Sequence, residues 1–317
     1  MSRRLAAIAT LATLSPFTAE FLLGDQYLAG PPELGRQLGM FALFVAFYGA
    51  AALLIREVTC RMGRGWPTML VLSLAFAVFE EGLLTQTLFN PHYLGLDLLS
   101  FGYIPALGIG APWTVYVLTL HVVWSIGTPI AIAEALFGRE PWLKKVGVSL
   151  WSVAFVLGSA ATFGIGYAFG GTHFIAHPAQ LGTAALLVVA LVVLALRAFR
   201  RLAWTSTPGN PWVAFALGLG ATVAFQVVLR ESEFFGPAWL VTGLMLALSV
   251  ISTYVVLRMR TPAFPLAAGA LLTYCGLGLQ MAVKQGGVAA AEQVILTLVA
   301  VGLLVVTSRQ KPSFVTV

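Results

Sequence analysis

Long apolar segments recur along the whole chain, and no other feature restricts its possible folds as strongly. A helix needs about 20 predominantly apolar residues to cross a bilayer. Only 9% of the residues are charged, whereas soluble domains carry about 25%. The sequence therefore predicts an all-α, polytopic membrane protein with about ten transmembrane helices. The candidate segments are residues 5–23, 38–55, 66–89, 112–137, 148–169, 181–196, 212–229, 239–257, 264–283 and 289–306.

Basic residues are concentrated in alternate loops between these segments. They precede the first segment and follow the second, fourth, sixth, eighth and tenth, at residues 3–4, 56–64, 139–145, 197–201, 258–260 and 309–311. Loops rich in lysine and arginine stay on the cytoplasmic side, so both termini are expected in the cytoplasm. The net charge of +6 is spread over these loops, and we expect membrane lipid rather than nucleic acid as a partner. We expect an integral protein of the inner (plasma) membrane of a bacterium or archaeon.

Two adjacent acids, Glu80 and Glu81, lie in the third apolar segment. An acidic side chain at the centre of a membrane helix costs about 2.5–3.5 kcal/mol on insertion scales, and such residues commonly mark functional sites. Adjacent positions on an α-helix point about 100° apart, so we expect that the two carboxyl groups do not both face one small site. At that depth they should share charge and titrate as a pair. The structural alternative is that one acid pairs with an arginine elsewhere.

Histidines in the next two segments are predicted to reach a similar depth. In the predicted topology Glu80 and Glu81 fall in the outer half of the third helix, and His121 lies about 14 Å below the outer end of the fourth. His173 and His177 lie near the outer end of the fifth, and would share a face if that segment is helical. Taken alone, His121 is typical of a hydrogen-bonded core histidine and the other two of a solvated loop. Their shared depth predicts one polar cavity that contains Glu80, Glu81, His121 and at least one of the later histidines.

Three short motifs resemble those of the CAAX protease and bacteriocin-processing (CPBP) family. These glutamate-dependent intramembrane endopeptidases carry EExxxR, then FxxxH, then HxxxN or HxxxD, and this chain has EEGLLT, VLTLH and HFIAH. Thr85 stands where the family has Arg, Val117 where it has Phe, and His177 where it has Asn or Asp. Residues 121–138 also resemble the histidine motif of the related PrsW-type proteases, which carry EExxK and cut on the outer side of the membrane.

The resemblance covers about residues 66–180 and implies a role for each matched residue. Glu80 or Glu81 would activate a water, and His121 would orient it or share its proton. His173 and His177 would hydrogen-bond the developing oxyanion. The substrate would be a membrane-associated peptide or lipid, with no cofactor. Residues 1–317 are then one integral membrane domain, with a catalytic core at 66–180 and additional transmembrane helices of unknown role at 181–317.

The same residues are compatible with a metalloenzyme that acts on lipid. Glutamate and histidine suit zinc or iron, and the metal ligands would be Glu80, Glu81, His121, His173 and His177. Di-iron sites usually contain Glu-x-x-His pairs, and this sequence has none.

A secondary transporter is the other alternative, because ten helices with both ends inside also form a common carrier layout. Glu20, Arg56, Glu57 and Glu134 could line a proton path. Carriers are often built from inverted repeats, whereas the polar groups here lie in one half of the chain, which argues against a symmetric carrier. Glu134 is expected to be paired, with no partner identifiable from the sequence.

Overall fold

The computed structural model describes residues 2–170, 173–198, 209–258 and 262–310. The basic residues at 200–201, 260 and 311, which contributed to the topology prediction, lie outside these ranges. Ten long helices make up most of the described chain. They are α1 (Arg3–Pro16), α2 (Leu34–Arg61), α3 (Trp66–Leu84), α4 (Ala111–Phe137), α5 (Lys145–Phe169), α6 (Pro178–Ala198), α7 (Pro211–Arg230), α8 (Ala238–Arg258), α9 (Ala263–Gln285) and α10 (Gly287–Arg309).

The prediction of an all-α, polytopic membrane protein is confirmed. Within the described ranges, the nine helices α2 to α10 are long and apolar enough to cross a membrane. The first predicted segment is helical as well, and α1 continues into a π-helical turn at Phe17–Phe21. The helical stretch from Arg3 to Phe21 is not among the nine, because its arginines, hydroxyl residues and Glu20 reduce its apolar character. The cytoplasmic placement of the termini stays a prediction.

Burial separates an inner group of helices from an outer one. In the most apolar stretch of α3 and of α4, 67% of residues are buried, and in α9 56%, against 11% in α6 and α8. Outer helices expose large apolar side chains such as Leu186 (73% exposed) and Val250 (64%). Such side chains suit a lipid environment. The inner group includes α9, which lies in the part of the chain for which the sequence suggested no role.

The third predicted segment is shorter in the structure than in the sequence prediction. Pro67 lies in the first turn of α3, where its missing N–H costs nothing. The helix ends at Leu84, five residues before the predicted end at 89. Gln86 has a φ of 55°, a left-handed conformation that cannot continue a right-handed helix.

The chain between α3 and α4 contains a small hairpin that the sequence analysis did not predict. Strands β1 (Tyr103–Ile104) and β2 (Ile109–Gly110) pair in antiparallel register, with Tyr103 opposite Gly110. The other short elements within the described ranges are two 3₁₀ helices, Asp25–Ala29 and Tyr93–Gly95, and one short α-helix, Ser232–Phe235.

Candidate functional site

Each π-helical turn in the described part of the chain carries at least one residue of a single polar cluster. The turns are Phe17–Phe21, Val45–Gly49, Glu80–Leu84 and His121–Gly127. We call the five residues the acid cluster: Glu20, Tyr48, Glu80, Glu81 and His121. A π turn changes the angular spacing of side chains within a helix, and such turns occur frequently at functional sites. Four of them around one cluster therefore mark it as the candidate site.

Hydroxyl groups of the first helix support two of these turns. Ser15 Oγ donates to the backbone oxygen of Ser125 at 2.6 Å and lies 3.2 Å from that of Tyr48. Thr18 Oγ1 lies 3.0 Å from the backbone oxygen of Trp124. A π turn disrupts the regular i→i−4 ladder, and backbone carbonyls in an apolar interior need donors. The hydroxyl groups of Ser15, at the end of α1, and of Thr18, in the π turn after it, thus provide donors for the irregular backbone at the site.

Both glutamates of the acid pair contact the same histidine. His121 Nε2 lies 2.7 Å from Glu81 Oε1, and His121 Nδ1 lies 3.3 Å from Glu80 Oε2. All three side chains are buried, with exposures of 2% for Glu80, 5% for Glu81 and 3% for His121. The expectation that the two acids cannot face one site is wrong. The imidazole presents a nitrogen on each side, and both acids lie in a π turn rather than in a regular α-helix.

The second carboxylate oxygen of Glu81 accepts hydrogen bonds from hydroxyl groups in the chain that follows it. Thr85 Oγ1 donates to Glu81 Oε2 at 3.0 Å, and Thr87 Oγ1 donates to the same oxygen. Trp113 Nε1 donates to Thr87 Oγ1 at 3.3 Å. Thr85, at the position where the CPBP motif that EEGLLT resembles has arginine, is therefore a neutral partner of the second glutamate.

Glu80 faces the opposite direction, toward α1 and α2. Its Oε1 is hydrogen-bonded to the hydroxyl of Tyr48, which also lies 2.7 Å from Glu20 Oε1. Tyr48 is buried at 3% exposure, whereas Glu20 is only partly buried. Tyr48 was not predicted from the sequence, because one tyrosine in an apolar segment carries no distinctive signal. Glu20 is recognisable in the sequence as an intramembrane acid, but the pattern suggested only a role in the proton path of a transporter.

The imidazole of His121 is fixed by further contacts. Its Nδ1 lies 3.1 Å from Ser125 Oγ, one helical turn away. The Tyr48 ring is nearly parallel to it, with ring centroids 6.0 Å apart, and the Phe76 ring packs edge-on at 6.1 Å. These contacts hold the ring between the two carboxyl groups.

The structure does not bring His173 and His177 into the acid cluster. Both side chains are exposed, and residues 174–177 are not helical, so the condition under which the two histidines would share a helical face is not met. His173 has a φ of 54° and packs on Tyr167 at 5.0 Å between ring centroids. His177 Nδ1 accepts from Ala179 N at 3.2 Å, as an N-cap of α6 does. The segment is nevertheless tied to the chain after α3, because Ala176 N donates to Gln86 Oε1 at 2.7 Å.

Glu80, Glu81 and His121 also provide a possible set of metal ligands. One donor atom from each lies within 4.8 Å of the others. Zinc binds nitrogen and oxygen at about 2.0–2.1 Å in tetrahedral geometry, which separates two ligand atoms by about 3.3 Å. The 2.7 Å between His121 Nε2 and Glu81 Oε1 is a hydrogen-bond distance, and the two histidines expected to complete the set lie elsewhere. Glu80, Glu81 and His121 are therefore the three protein ligands that this site could offer to a metal ion.

A second buried polar group contains the other residues considered for a proton path. Arg56 is fully buried, with its Nε 3.2 Å from Glu134 Oε1 and its guanidinium stacked on Trp142 at 3.3 Å. Arg139 Nε lies 3.3 Å from Glu134 Oε2. Glu57 Oε2 accepts from the backbone N–H of Trp142 at 2.9 Å. These contacts identify the partners of Glu134 and anchor the chain after α4 to α2, which is a structural role.

The family comparison covers nearly the whole chain. A family model described as an uncharacterized membrane protein family matches residues 9–315. The chain belongs to this family. No curated protein and no solved structure matches it significantly. The match includes all five residues of the acid cluster and the helices α7 to α10, so the family extends well beyond the region that resembles the glutamate proteases.

Proposed function

We propose that this protein is an intramembrane hydrolase in which Glu81 and His121 act as an acid–base pair. The observation that carries the proposal is the contact of 2.7 Å between Glu81 Oε1 and His121 Nε2, buried within the helix bundle. A carboxylate and an imidazole at hydrogen-bond distance can exchange a proton, which is what general acid–base catalysis requires. The resemblance of EEGLLT and VLTLH to the CPBP motifs supports the same chemistry.

Glu81 is the better candidate for the general base. Its partners Thr85 and Thr87 lie on the chain after α3, and Trp113 at the start of α4 contacts Thr87. This part of the site therefore borders the connecting segment between α3 and α4. Glu80 instead faces the protein interior, toward Tyr48.

The reaction follows from these positions. Glu81 takes a proton from a water, and the resulting hydroxide adds to the carbonyl carbon of an amide or ester in a membrane-associated peptide or lipid. The tetrahedral intermediate then collapses, and His121 donates a proton to the leaving nitrogen or oxygen. The oxyanion role implied for His173 and His177 requires residues 173–177 to move toward Glu81. The hydrogen bond from Ala176 N to Gln86 Oε1 already joins these residues to the chain that follows α3.

Access to the buried pair requires movement of a neighbouring element. Helix α6 lies directly on the helix that carries the acids, since a Cβ placed on Gly82 would be only 2.9 Å from Ala184 Cβ. The most apolar stretch of α6 is just 11% buried, so α6 packs on α3 with one face and is otherwise open to lipid. Substrate entry from the lipid beside α6 is therefore part of the proposal.

The test is hydrolysis by the purified protein in lipid nanodiscs, with fluorogenic transmembrane peptides and lipid esters as substrates. Loss of a general base costs about 10²–10⁴-fold in rate, so Glu81→Gln should remove turnover while the protein still folds. Glu140→Gln, at an exposed acid outside the cluster, is the matched control and should keep full activity. Equal activity of Glu81→Gln and the unmodified protein would overturn the assignment.

A proton-coupled carrier is the second candidate, supported by a different observation. The five groups of the acid cluster form an unbroken series of contacts from Glu20 through Tyr48, Glu80 and His121 to Glu81. Such a series can pass protons through a membrane-embedded site. Proteoliposomes with an imposed pH gradient test this alternative. Solute uptake that is blocked by both Glu80→Gln and Glu81→Gln, with no hydrolysis of any substrate, would favour the carrier.

A further inference from the structure

The contacts of Tyr48 place a condition on the number of protons in the acid cluster. Its hydroxyl oxygen is at hydrogen-bond distance from both Glu20 Oε1 and Glu80 Oε1. A tyrosine hydroxyl has one proton to donate, and an ionised carboxylate can only accept. Two hydrogen bonds need two protons, so one of the two carboxyl groups must carry a proton and donate it to Tyr48.

Burial indicates which carboxyl group carries that proton. Glu80 is 2% exposed, whereas Glu20, at the other side of Tyr48, is only partly buried. Glu20 lies near the end of the first helix, shortly before the Asp25–Ala29 segment, where a charge is less costly than in the interior of the bundle. The arrangement that costs less free energy therefore has the proton on Glu80. In it, Glu80 O–H donates to Tyr48, and Tyr48 O–H donates to an ionised Glu20.

The charge balance of the buried residues leads to the same assignment. In the described ranges, neither Glu80 nor Glu81 forms an ion pair with a lysine or arginine, and both contact His121, which is a cation when protonated. One imidazolium can balance one carboxylate. Two ionised glutamates around His121 would leave a net negative charge deep in the bundle, which is costly when unpaired. Protonation of Glu80 makes the buried group of Glu80, His121 and Glu81 neutral, and the remaining negative charge then lies on Glu20, which is only partly buried.

We propose that Tyr48 and Glu20 are positioning residues that keep Glu80 protonated, so that Glu81 is the single anionic partner of His121. The proton on Glu80 then provides the charge compensation that the arginine of the CPBP motif would give, at a site where this chain has Thr85. The catalytic consequence rests on the proposed function, because a neutral Glu80 leaves Glu81 as the base. The protonation pattern itself does not depend on any reaction.

Infrared spectroscopy tests the pattern directly in the full-length protein. A protonated carboxyl group gives a C=O stretching band that shifts on H/D exchange, separate from the bands of carboxylates and amides. The purified protein in nanodiscs at neutral pH should show this band. Glu80→Gln should remove it, and Glu140→Gln should leave it unchanged. Tyr48→Phe keeps the ring but removes the hydrogen-bond partner, so it should shift the frequency of the band or abolish it.

The outcomes separate this proposal from the hydrolase. Absence of the band, or a band that persists in Glu80→Gln, would overturn the protonation pattern even if hydrolysis depends on Glu81. A band lost in Glu80→Gln and altered in Tyr48→Phe supports the pattern, even if no substrate is hydrolysed. If Glu80→Gln fails to fold, the frequency in Tyr48→Phe decides, since an unaltered band there would place the proton elsewhere.

Discussion

Trp124 of α4 stacks on Tyr274 of α9, with ring centroids 4.4 Å apart and 5° between the ring planes. Trp124 Nε1 also donates to the backbone oxygen of Ala270 at 2.8 Å. The helix that carries His121 is thereby fixed to a helix near the end of the chain. The acid cluster consequently depends on packing that extends far outside residues 66–180.

Replacement of Trp124 should destabilise the whole bundle. The side chain is fully buried, and truncation of a buried Trp to Ala typically costs about 3–5 kcal/mol. Trp124→Ala should therefore lower the thermal unfolding midpoint of the purified protein strongly. Trp212→Ala, at a side chain that is 78% exposed, is the matched control and should cause little change. Similar midpoints for the two variants would contradict the packing role of the stacked pair.

The two adjacent glutamates should respond unequally to the same substitution. Glu81→Gln removes the proposed base and should lower the hydrolysis rate about 10²–10⁴-fold, equivalent to about 3–5 kcal/mol of barrier. The glutamine in Glu80→Gln resembles a neutral carboxyl group, so this substitution should lower the hydrolysis rate about tenfold or less. His121→Ala should match the loss in Glu81→Gln. The measurement is kcat for each variant in nanodiscs, and a larger loss for Glu80→Gln would exchange the two roles.

Chelation should leave hydrolysis intact, because the proposed acid–base mechanism uses Glu81 and His121 without a metal ion. Activity is measured after dialysis against EDTA and again after addition of zinc or iron(II). A loss on dialysis that either ion restores would replace the proposed mechanism by a metalloenzyme, with Glu80, Glu81 and His121 as ligands. Metal content of the purified protein, measured by mass spectrometry, provides an independent control.

The pair of Arg56 and Glu134 should contribute to stability in a non-additive way. Removal of Glu134 leaves Arg56 buried without a counter-charge, which typically costs about 3–5 kcal/mol. Removal of Arg56 leaves Glu134 with Arg139 as its remaining partner. Arg56→Met and Glu134→Gln should each lower the unfolding midpoint, and the double variant should be more stable than the sum of the two losses predicts. Glu33→Gln breaks an exposed pair with Arg36 and should have little effect. Strict additivity would show that the two buried residues act independently.

The predicted topology can be tested at two exposed positions on opposite ends of α4. Glu140 follows its C-terminal end, and Tyr103, which is 51% exposed, lies in the hairpin before it. In a background without Cys60 and Cys275, a membrane-impermeant maleimide should label Glu140→Cys only from the cytoplasmic side. Tyr103→Cys should be labelled only from the opposite side. The reverse pattern would invert the topology and place the acid cluster in the cytoplasmic half.

The amino-acid sequence alone determined the membrane class, the helical segments and the central residues of the site. Hydropathy and charge are local properties, so apolar segments and the unusual acids Glu80 and Glu81 are visible without a structure. His121 was identified because its depth follows from helix length and sidedness. The shorter end of α3 and the β hairpin were missed, because the conformation of Gln86 and the pairing of two-residue strands leave no periodic pattern.

Only the tertiary structure decided which side chains meet. The order of residues does not give the rotation of each helix about its axis, and four π turns change that rotation locally at Glu20, Tyr48, Glu80 and His121. For this reason the sequence did not predict that Tyr48 is part of the acid cluster. His173 and His177 stay outside the acid cluster for a similar reason, since the chain around them is not helical and their side chains are exposed. A contact between residues distant in the chain depends on the packing of the whole bundle, which no local pattern encodes.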